Sequence, residues 1–312
     1  MQAMTPTGRA GGSGPSVVLA AVDQPRPRPN EALVKVEAYS INRGETFQLE
    51  APRTGWRPGK DVAGLVVQAA ADGSGPAAGA RVVGHPPQGG WAEYVAVPTD
   101  SLAQLPDSVS AITAAALPLA GLTALRLLRV TGSLDGRRVL ITGASGGVGH
   151  YFVELAAATG LETTAVSSRA ERGARLLDLG AAHVVPTIDA AHGPFDVVLE
   201  SIGGPNLPAA LTKLAPRGTL IWFGQASRQP ATLDFFDFFA GPASATIRHF
   251  HYADPDTGYG EDLRALVRLV AADRLHPEIG LVADWTETAE VLIRLRDRGV
   301  HGKAVLTINQ EP

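Results

Sequence analysis

Short runs of alternating apolar and polar residues, separated by Gly/Pro-rich breaks, fill the first hundred positions. They predict strands at Ser16–Val22, Ala32–Ala38, Ala63–Ala69, Arg81–Val83 and Ala92–Val97. The breaks are turn formers, as in Pro25-Arg26-Pro27-Arg28-Pro29 and Gly73-Ser74-Gly75-Pro76. No helical period dominates before Ala111, so this stretch reads as a compact β domain. Ser108–Leu125 is uncharged, but it is rich in alanine and contains Pro118 and Gly121, which predicts a buried, interrupted helix rather than a membrane span. From Val139 the texture changes. Strands expected at 139–142, 162–166, 183–185, 196–199, 218–223 and 245–251 alternate with helices, the pattern of a parallel sheet covered on both faces. After about residue 257, helices at Gly260–Ala272 and Glu287–Arg298 precede a last strand, Ala304–Ile308. The fold class is α/β, with expected segments 1–115, 116–257 and 258–312.

Val139-Leu140-Ile141-Thr142-Gly143-Ala144-Ser145-Gly146-Gly147-Val148-Gly149 carries the most specific chemistry. A β-branched apolar run meets a glycine-rich turn, and the amphipathic stretch Tyr151–Ala158 follows: strand, turn, helix. In such a unit the glycines let main chain approach a pyrophosphate lying on the free N–H groups of the helix N-terminus. Ala144-x-Gly146-x-x-Gly149 matches the dinucleotide fingerprint with alanine in the first glycine slot, so Ala144, Ser145, Gly146, Gly147, Val148 and Gly149 are expected to line the cofactor.

About twenty residues on, the end of the second strand meets the adenosine ribose, where an acid selects NAD and a basic residue accommodates the 2′-phosphate of NADP. Glu162–Val166 ends in Ser167-Ser168-Arg169, with Arg172 one turn later. Glu171, the nearest acid, stands between the two arginines and belongs to the helix. Hydroxyls and a planar guanidinium suit a phosphate, which predicts NADP(H). Ser201 and Gly203 after the fourth strand, and Phe223-Gly224 after the fifth, stand at carboxyl ends where such cofactors bind.

Of the 312 residues, 45% are hydrophobic, enough for ample core in about two domains. The net charge of −4 gives no electrostatic footprint for nucleic acid. Zero cysteines exclude disulfides and thiolate metal sites. Met1–Gly14 holds no apolar core of signal-peptide length, and a soluble cytoplasmic protein is expected. Thr142-Gly143-x-x-x-Gly147-x-Gly149 also fits the short-chain dehydrogenase pattern. That family needs a Tyr-x-x-x-Lys pair, and none of Tyr39, Tyr94, Tyr151, Tyr252 or Tyr259 has lysine four residues on.

The β domain, central dinucleotide domain and C-terminal return resemble the medium-chain dehydrogenase/reductase superfamily over nearly the entire chain. The phrases that carry it are Leu33-Val34-Lys35-Val36, Pro58-Gly59-Lys60-Asp61-Val62-Ala63-Gly64, Gly89-Gly90-Trp91-Ala92-Glu93-Tyr94-Val95, Ala115–Ala124 and Gly302-Lys303-Ala304-Val305-Leu306. They resemble its zinc-independent quinone oxidoreductase branch, whose plan enoyl reductases share. The resemblance implies a GroES-like β-rich catalytic domain plus a Rossmann doubly wound parallel-sheet domain. In zinc members a cysteine, a histidine and a cysteine hold the catalytic metal; those slots hold Asn42, Lys60 and Leu119 here, so no metal is expected. Without a Lewis acid, alcohol oxidation gives way to reduction of quinones or of the C=C bond of α,β-unsaturated carbonyls, whose anions are delocalised.

By the same resemblance Asn42 lies beside the nicotinamide, where its amide could bond the cofactor ribose or a substrate oxygen; otherwise it is an Asx turn after a strand. Thr123 faces the nicotinamide, and Lys303 counts among the cofactor residues. Phe47 takes the place of a tyrosine found in some relatives, and with Trp56, His85 and Trp91 is expected to line the substrate pocket, although Trp56, Trp91, Phe235 and Phe236 could equally be packing. Lys60 has two readings: a proton donor or enolate partner, or a salt-bridge partner of Asp61 or Glu45. His249, Phe250, His251 and Tyr252 read as a sheet edge or subunit contact, and a homodimer is expected through the strand near 245–252. The implied function is an NADPH-dependent reductase of quinones, enals or enones. An enoyl-thioester reductase and a non-catalytic NADPH-binding structural or regulatory protein are the alternatives.

Overall fold

The structure, a computed structural model, describes residues 1–8, 16–132, 136–239, 241–253 and 258–308. It divides into two compact units, Met1–Leu122 with Pro255–Pro312, and Thr123–Asp254. The sequence put the cuts at 115/116 and 257/258; residue 257 and part of Met1–Gly14 lie outside the described residues.

The first unit opens with β1 (Gln2–Pro6) antiparallel to β2 (Val17–Ala21), then β3 (Glu31–Ile41), α1 (Arg43–Gln48), β4 (Asp61–Gln68), β5 (Arg81–Gly84), β6 (Tyr94–Pro98), β7 (Leu102–Gln104) and α2 (Ala111–Ala115). α3 (Pro118–Val130) carries the chain past the unit boundary, and the break between α2 and α3 falls at the expected proline. β3 runs three residues beyond its expected end. Its alternation stops where Ala38-Tyr39-Ser40-Ile41 is buried throughout, and Ser40 tolerates this because its hydroxyl donates to the Asp61 carboxylate at 2.9 Å. α1 departs from the expectation of no helix before Ala111. At six residues it is too short to show a period, and Glu45 starts it by returning its carboxylate to the Asn42 N–H at 2.9 Å.

The second unit alternates β8 (Arg138–Ile141), α4 (Gly147–Ala157), β9 (Glu162–Val166), α5 (Ala170–Asp178), β10 (His183–Val185), β11 (Phe195–Glu200), α6 (Asn206–Leu211), β12 (Leu214–Trp222) and β13 (Thr246–His249). All pairs are parallel, in the order β10-β9-β8-β11-β12-β13. The winding reverses between β8 and β11, so a crevice opens at the carboxyl ends of those strands, where ligands of such sheets bind. Leu140, Val198 and Leu220 from the central strands pack with Phe195, Leu211 and Leu214. β13 is an outer strand, as its sequence suggested.

The chain returns to the first unit with α7 (Tyr259–Ala271), β14 (Ile279–Asp284), α8 (Thr288–Arg296) and β15 (Lys303–Thr307). β14 is an unexpected strand, only partly buried, that pairs parallel to β15. The resulting sheet has the order β14-β15-β3-β4-β5-β7, with β6 on β3. Its core holds Val34, Tyr39, Val62, Trp91 and Leu306. β15 lies antiparallel on β3 with Ala304 opposite Ile41, which brings Lys303 to the end of β3. No helix among the described residues is long and apolar enough to cross a membrane.

Candidate active site

In the second unit the glycine turn has the shape its sequence promised. Gly143 takes φ +62°, and the Gly146 N–H closes the turn on its carbonyl at 2.9 Å. Gly146 then precedes α4 in an extended conformation, exposed and with no side chain to cap the helix, so the first-turn N–H groups remain open to an anion. A Cβ on Gly149 would lie 2.2 Å from the Ala144 carbonyl oxygen, a contact with main chain that cannot yield cheaply. Ala144 itself is fully buried, while Ser145, Gly147 and Val148 are half-buried beside the turn.

At the end of β9 the chain presents Ser168 and Arg169 to solvent, and Arg172 stands half-buried on the first turn of α5. Burial and the nearby Arg169 charge lower the Arg172 pKa, against the pull of Glu171. Two neighbouring guanidinium groups have the charge and planar donor geometry that suit a dianion. Ser167 is buried, and its hydroxyl donates to the Arg169 carbonyl at 3.3 Å.

Beyond β11, Glu200 organises the next turn, a role not anticipated from sequence. Fully buried, it accepts from the N–H groups of Ile202 at 2.8 Å and Gly203 at 2.9 Å and from the Thr142 hydroxyl at 3.1 Å. Burial raises its pKa, against these donors. The Ser201 N–H donates to Thr142 Oγ1 at 2.9 Å and its hydroxyl to the Thr142 carbonyl at 3.1 Å. Gly203 adopts φ +71°, Phe223 donates its N–H to the Glu200 carbonyl, and a Cβ on Gly224 would press on the Ser201 carbonyl at 2.9 Å. The strand ends are thus tied edge to edge. Thr123 is buried on α3.

In the first unit a buried polar cluster gathers on Asp61. One carboxylate oxygen accepts from Ser40 Oγ at 2.9 Å, Asn42 Nδ2 at 2.7 Å and Lys303 Nζ at 3.2 Å. The other accepts the Leu119 N–H, in the first turn of α3, at 2.9 Å, and lies 3.4 Å from His85 Nδ1. Burial alone would raise the Asp61 pKa; the Lys303 charge, His85 and Asn42 outweigh it and hold the carboxyl well below the usual range. Lys303 Nζ also donates to Asn42 Oδ1 at 2.6 Å. An ammonium only donates and an ionised carboxylate only accepts, so these two neighbours fix which end of the Asn42 amide is oxygen.

Lys303, expected among the cofactor residues, is 3% exposed, and its ammonium is engaged with Asp61 and Asn42. Asp61 pairs with Lys303, and the two oxygens of Glu45 accept the N–H groups of Asn42 and Gly59, each at 2.9 Å. Lys60 itself is half-buried. His85 lies inside the cluster, edge-to-face on the Tyr259 ring at 5.0 Å. Trp91, 1% exposed and stacked on Tyr39 at 5.7 Å, sits as a core residue, and Trp56 packs half-buried on the same core. Phe47 is half-buried on α1. Phe235 and Phe236 lie at the surface with Phe239, each at least 70% exposed. His249 is exposed on β13, and the described residues hold no group of His, Asp and Glu arranged for a metal ion.

A glycine turn opening a helix on a parallel sheet, an arginine pair at the second strand and a separate β-rich unit are the features of a two-unit dinucleotide-binding fold. Residues 147–272 match the family described as zinc-binding dehydrogenase, and residues 28–107 match the alcohol dehydrogenase GroES-like domain. The chain belongs to the medium-chain dehydrogenase/reductase superfamily and is similar to its quinone oxidoreductases. It is 36% identical over 194 residues to a chloroplastic quinone-oxidoreductase homolog of Spinacia oleracea, covering 57% of each chain. Among solved structures it resembles the quinone oxidoreductase from Coxiella burnetii, with TM-score 0.85, 25% identity and 99% of both chains covered. It also resembles a mycobacterial protein complexed with NADPH, with TM-score 0.88, 27% identity, and 98% of this chain and 100% of that one covered. The chain spans little more than half the length of the first curated relatives it matches.

Proposed function

We propose that the protein is an NADPH-dependent, zinc-independent reductase of quinones or of the C=C bond of α,β-unsaturated carbonyls. The observation that carries this reading is the Asn42 carboxamide, held in one orientation by Lys303 and Asp61. An amide has two N–H donors, and Asp61 takes one. The second is offered to the carbonyl oxygen of the acceptor, where negative charge develops on reduction. Asn42 is 6% exposed, so this hydrogen bond forms in a low-dielectric setting where it counts for more than in water.

The residues present fit the cofactor. Gly146 to Gly149 and the open start of α4 hold the pyrophosphate, while Ser168, Arg169 and Arg172 hold the 2′-phosphate. NADPH supplies the hydride when bound. Ser201, Gly203, Phe223 and Gly224 hold the nicotinamide ribose at strand ends tied together by Glu200, and Thr123 faces the ring. Lys60 supplies the proton, and Phe47 stacks on flat acceptors. The three slots that bind zinc in zinc members carry a committed carboxamide, an ammonium and an alkyl chain, a donor set that cannot coordinate the metal. Two copies pair through the outer strand β13. NADPH oxidation against a panel of quinones, 2-alkenals and 2-enoyl thioesters tests the reading. Turnover with the first two groups supports it, turnover confined to thioesters moves the substrate class, and NADPH binding without any turnover sinks it.

A further inference from the structure

Glu45 is buried to 2% and takes no part in the chemistry described above. Its two oxygens do different work. One accepts the N–H of Asn42, where β3 gives way to α1, and the other accepts the N–H of Gly59, the residue before Lys60, each at 2.9 Å. A single carboxylate therefore fastens the two chain segments that carry Asn42 and Lys60. The second segment has little freedom of its own. Gly59 takes φ +113°, and a Cβ there would fall 2.3 Å from the Trp91 nitrogen and 2.4 Å from the Gly90 nitrogen. Its conformation persists because the surroundings over-determine it, and Glu45 is one of the restraints.

We propose that Glu45 is a positioning residue that, as a carboxylate, clamps the main chain at Asn42 and Gly59 together and so sets the presentation of both reactive side chains. The inference rests on the reductase reading for its effect on rate, but the clamp itself is a property of the fold. A carboxylate offers acceptors on both oxygens, and a carboxylic acid places its proton on one of them, turning that oxygen into a donor that faces an N–H. Proton loss closes the clamp and proton uptake opens one side of it.

The groups around Glu45 place that switch in a useful range. Asp61 on β4 faces it as a like charge, Lys303 on β15 as an opposite one, and Tyr39 on β3 lies within its field. On its own helix, burial and then the Arg298 charge lower the Arg43 pKa. Burial pushes the Glu45 carboxyl up, Asp61 pushes it further, and the two N–H donors and Lys303 pull it back, leaving it at about 7. The clamp is accordingly open on the acid side of neutrality and closed on the alkaline side.

Two measurements test this. Amide hydrogen exchange of the unmodified protein should give protection factors at Asn42 or Gly59 that rise between about pH 6 and about pH 8, with no turnover required; protection that stays level across that range overturns the clamp. In the reductase assay, Glu45→Gln should fix the open state. Its kcat at about pH 8 should fall ~10-fold or more to a level that no longer varies with pH, while the KM for NADPH stays within about twofold. A Gln variant that keeps the pH inflection near neutrality shows that another group sets it and overturns the positioning role.

Discussion

Lys303 and Asn42 stand 261 positions apart in the chain, and the ammonium of one lies 2.6 Å from the amide oxygen of the other. The same ammonium lies 3.2 Å from Asp61, whose second oxygen caps the first turn of α3 through the Leu119 N–H. One buried charge pair thus aims Asn42 and anchors the start of a helix. Lys303→Met keeps the length of the side chain and leaves Asp61 charged without its cation. Removing one partner of a buried pair costs about 3–5 kcal/mol, so denaturant unfolding should show a loss of that order. A change below about 1 kcal/mol would mean that the pair is not buried in solution.

The proposed NADPH preference is assigned to the arginines at the end of β9. Arg169→Ala should raise the KM for NADPH far more than that for NADH, by a factor matching ~1.5–3 kcal/mol for a charged hydrogen bond. Arg172, whose pKa burial and the Arg169 charge depress, should bear part of the load left behind. Equal use of NADPH and NADH by the unmodified protein would contradict the assignment.

β13 presents an open parallel edge, with Thr246, Arg248 and His249 exposed and no proline to block pairing. An antiparallel match of this edge to itself makes a two-fold interface. Light scattering should report a dimer for the unmodified protein, and Ile247→Pro should shift it to monomer. A monomer at micromolar concentration, or a dimer indifferent to the proline, would remove β13 as the contact.

Elemental analysis should find no stoichiometric zinc, and chelators should leave turnover unchanged, because Asn42 Oδ1 and Nδ2 are already engaged by Lys303 and Asp61. About one zinc per chain, lost together with activity, would overturn the zinc-independent reading.

The nucleotide unit was readable in the sequence because each of its signals is local. The glycine turn, the Ser-Ser-Arg end of β9 and the apolar strands all declare themselves within a few residues, and the structure places them on one parallel sheet, as expected. The polar cluster was not readable in the same way. Lys303 reaches Asn42 only through the pairing of β15 with β3, and nothing in the phrase Gly302-Lys303-Ala304 shows which residue it will face. Nor does any residue pattern reveal that the Ser167 hydroxyl turns toward the Arg169 carbonyl. Glu45 left a usable trace: Asn42-x-x-Glu45 has capping-box spacing, and α1 could have been found from it. Its second bond, to Gly59, could not.

The most direct test of the central claim is the turnover of Asn42→Ala beside the unmodified protein, with NADPH and the best quinone or enone acceptor. If the carboxamide held by Lys303 and Asp61 polarises the acceptor oxygen, kcat should fall by about 10²- to 10³-fold, as when one oxyanion-stabilising donor is lost, while NADPH binds as before. Undiminished turnover by Asn42→Ala, or an unmodified protein that consumes no NADPH with any acceptor, would contradict the account.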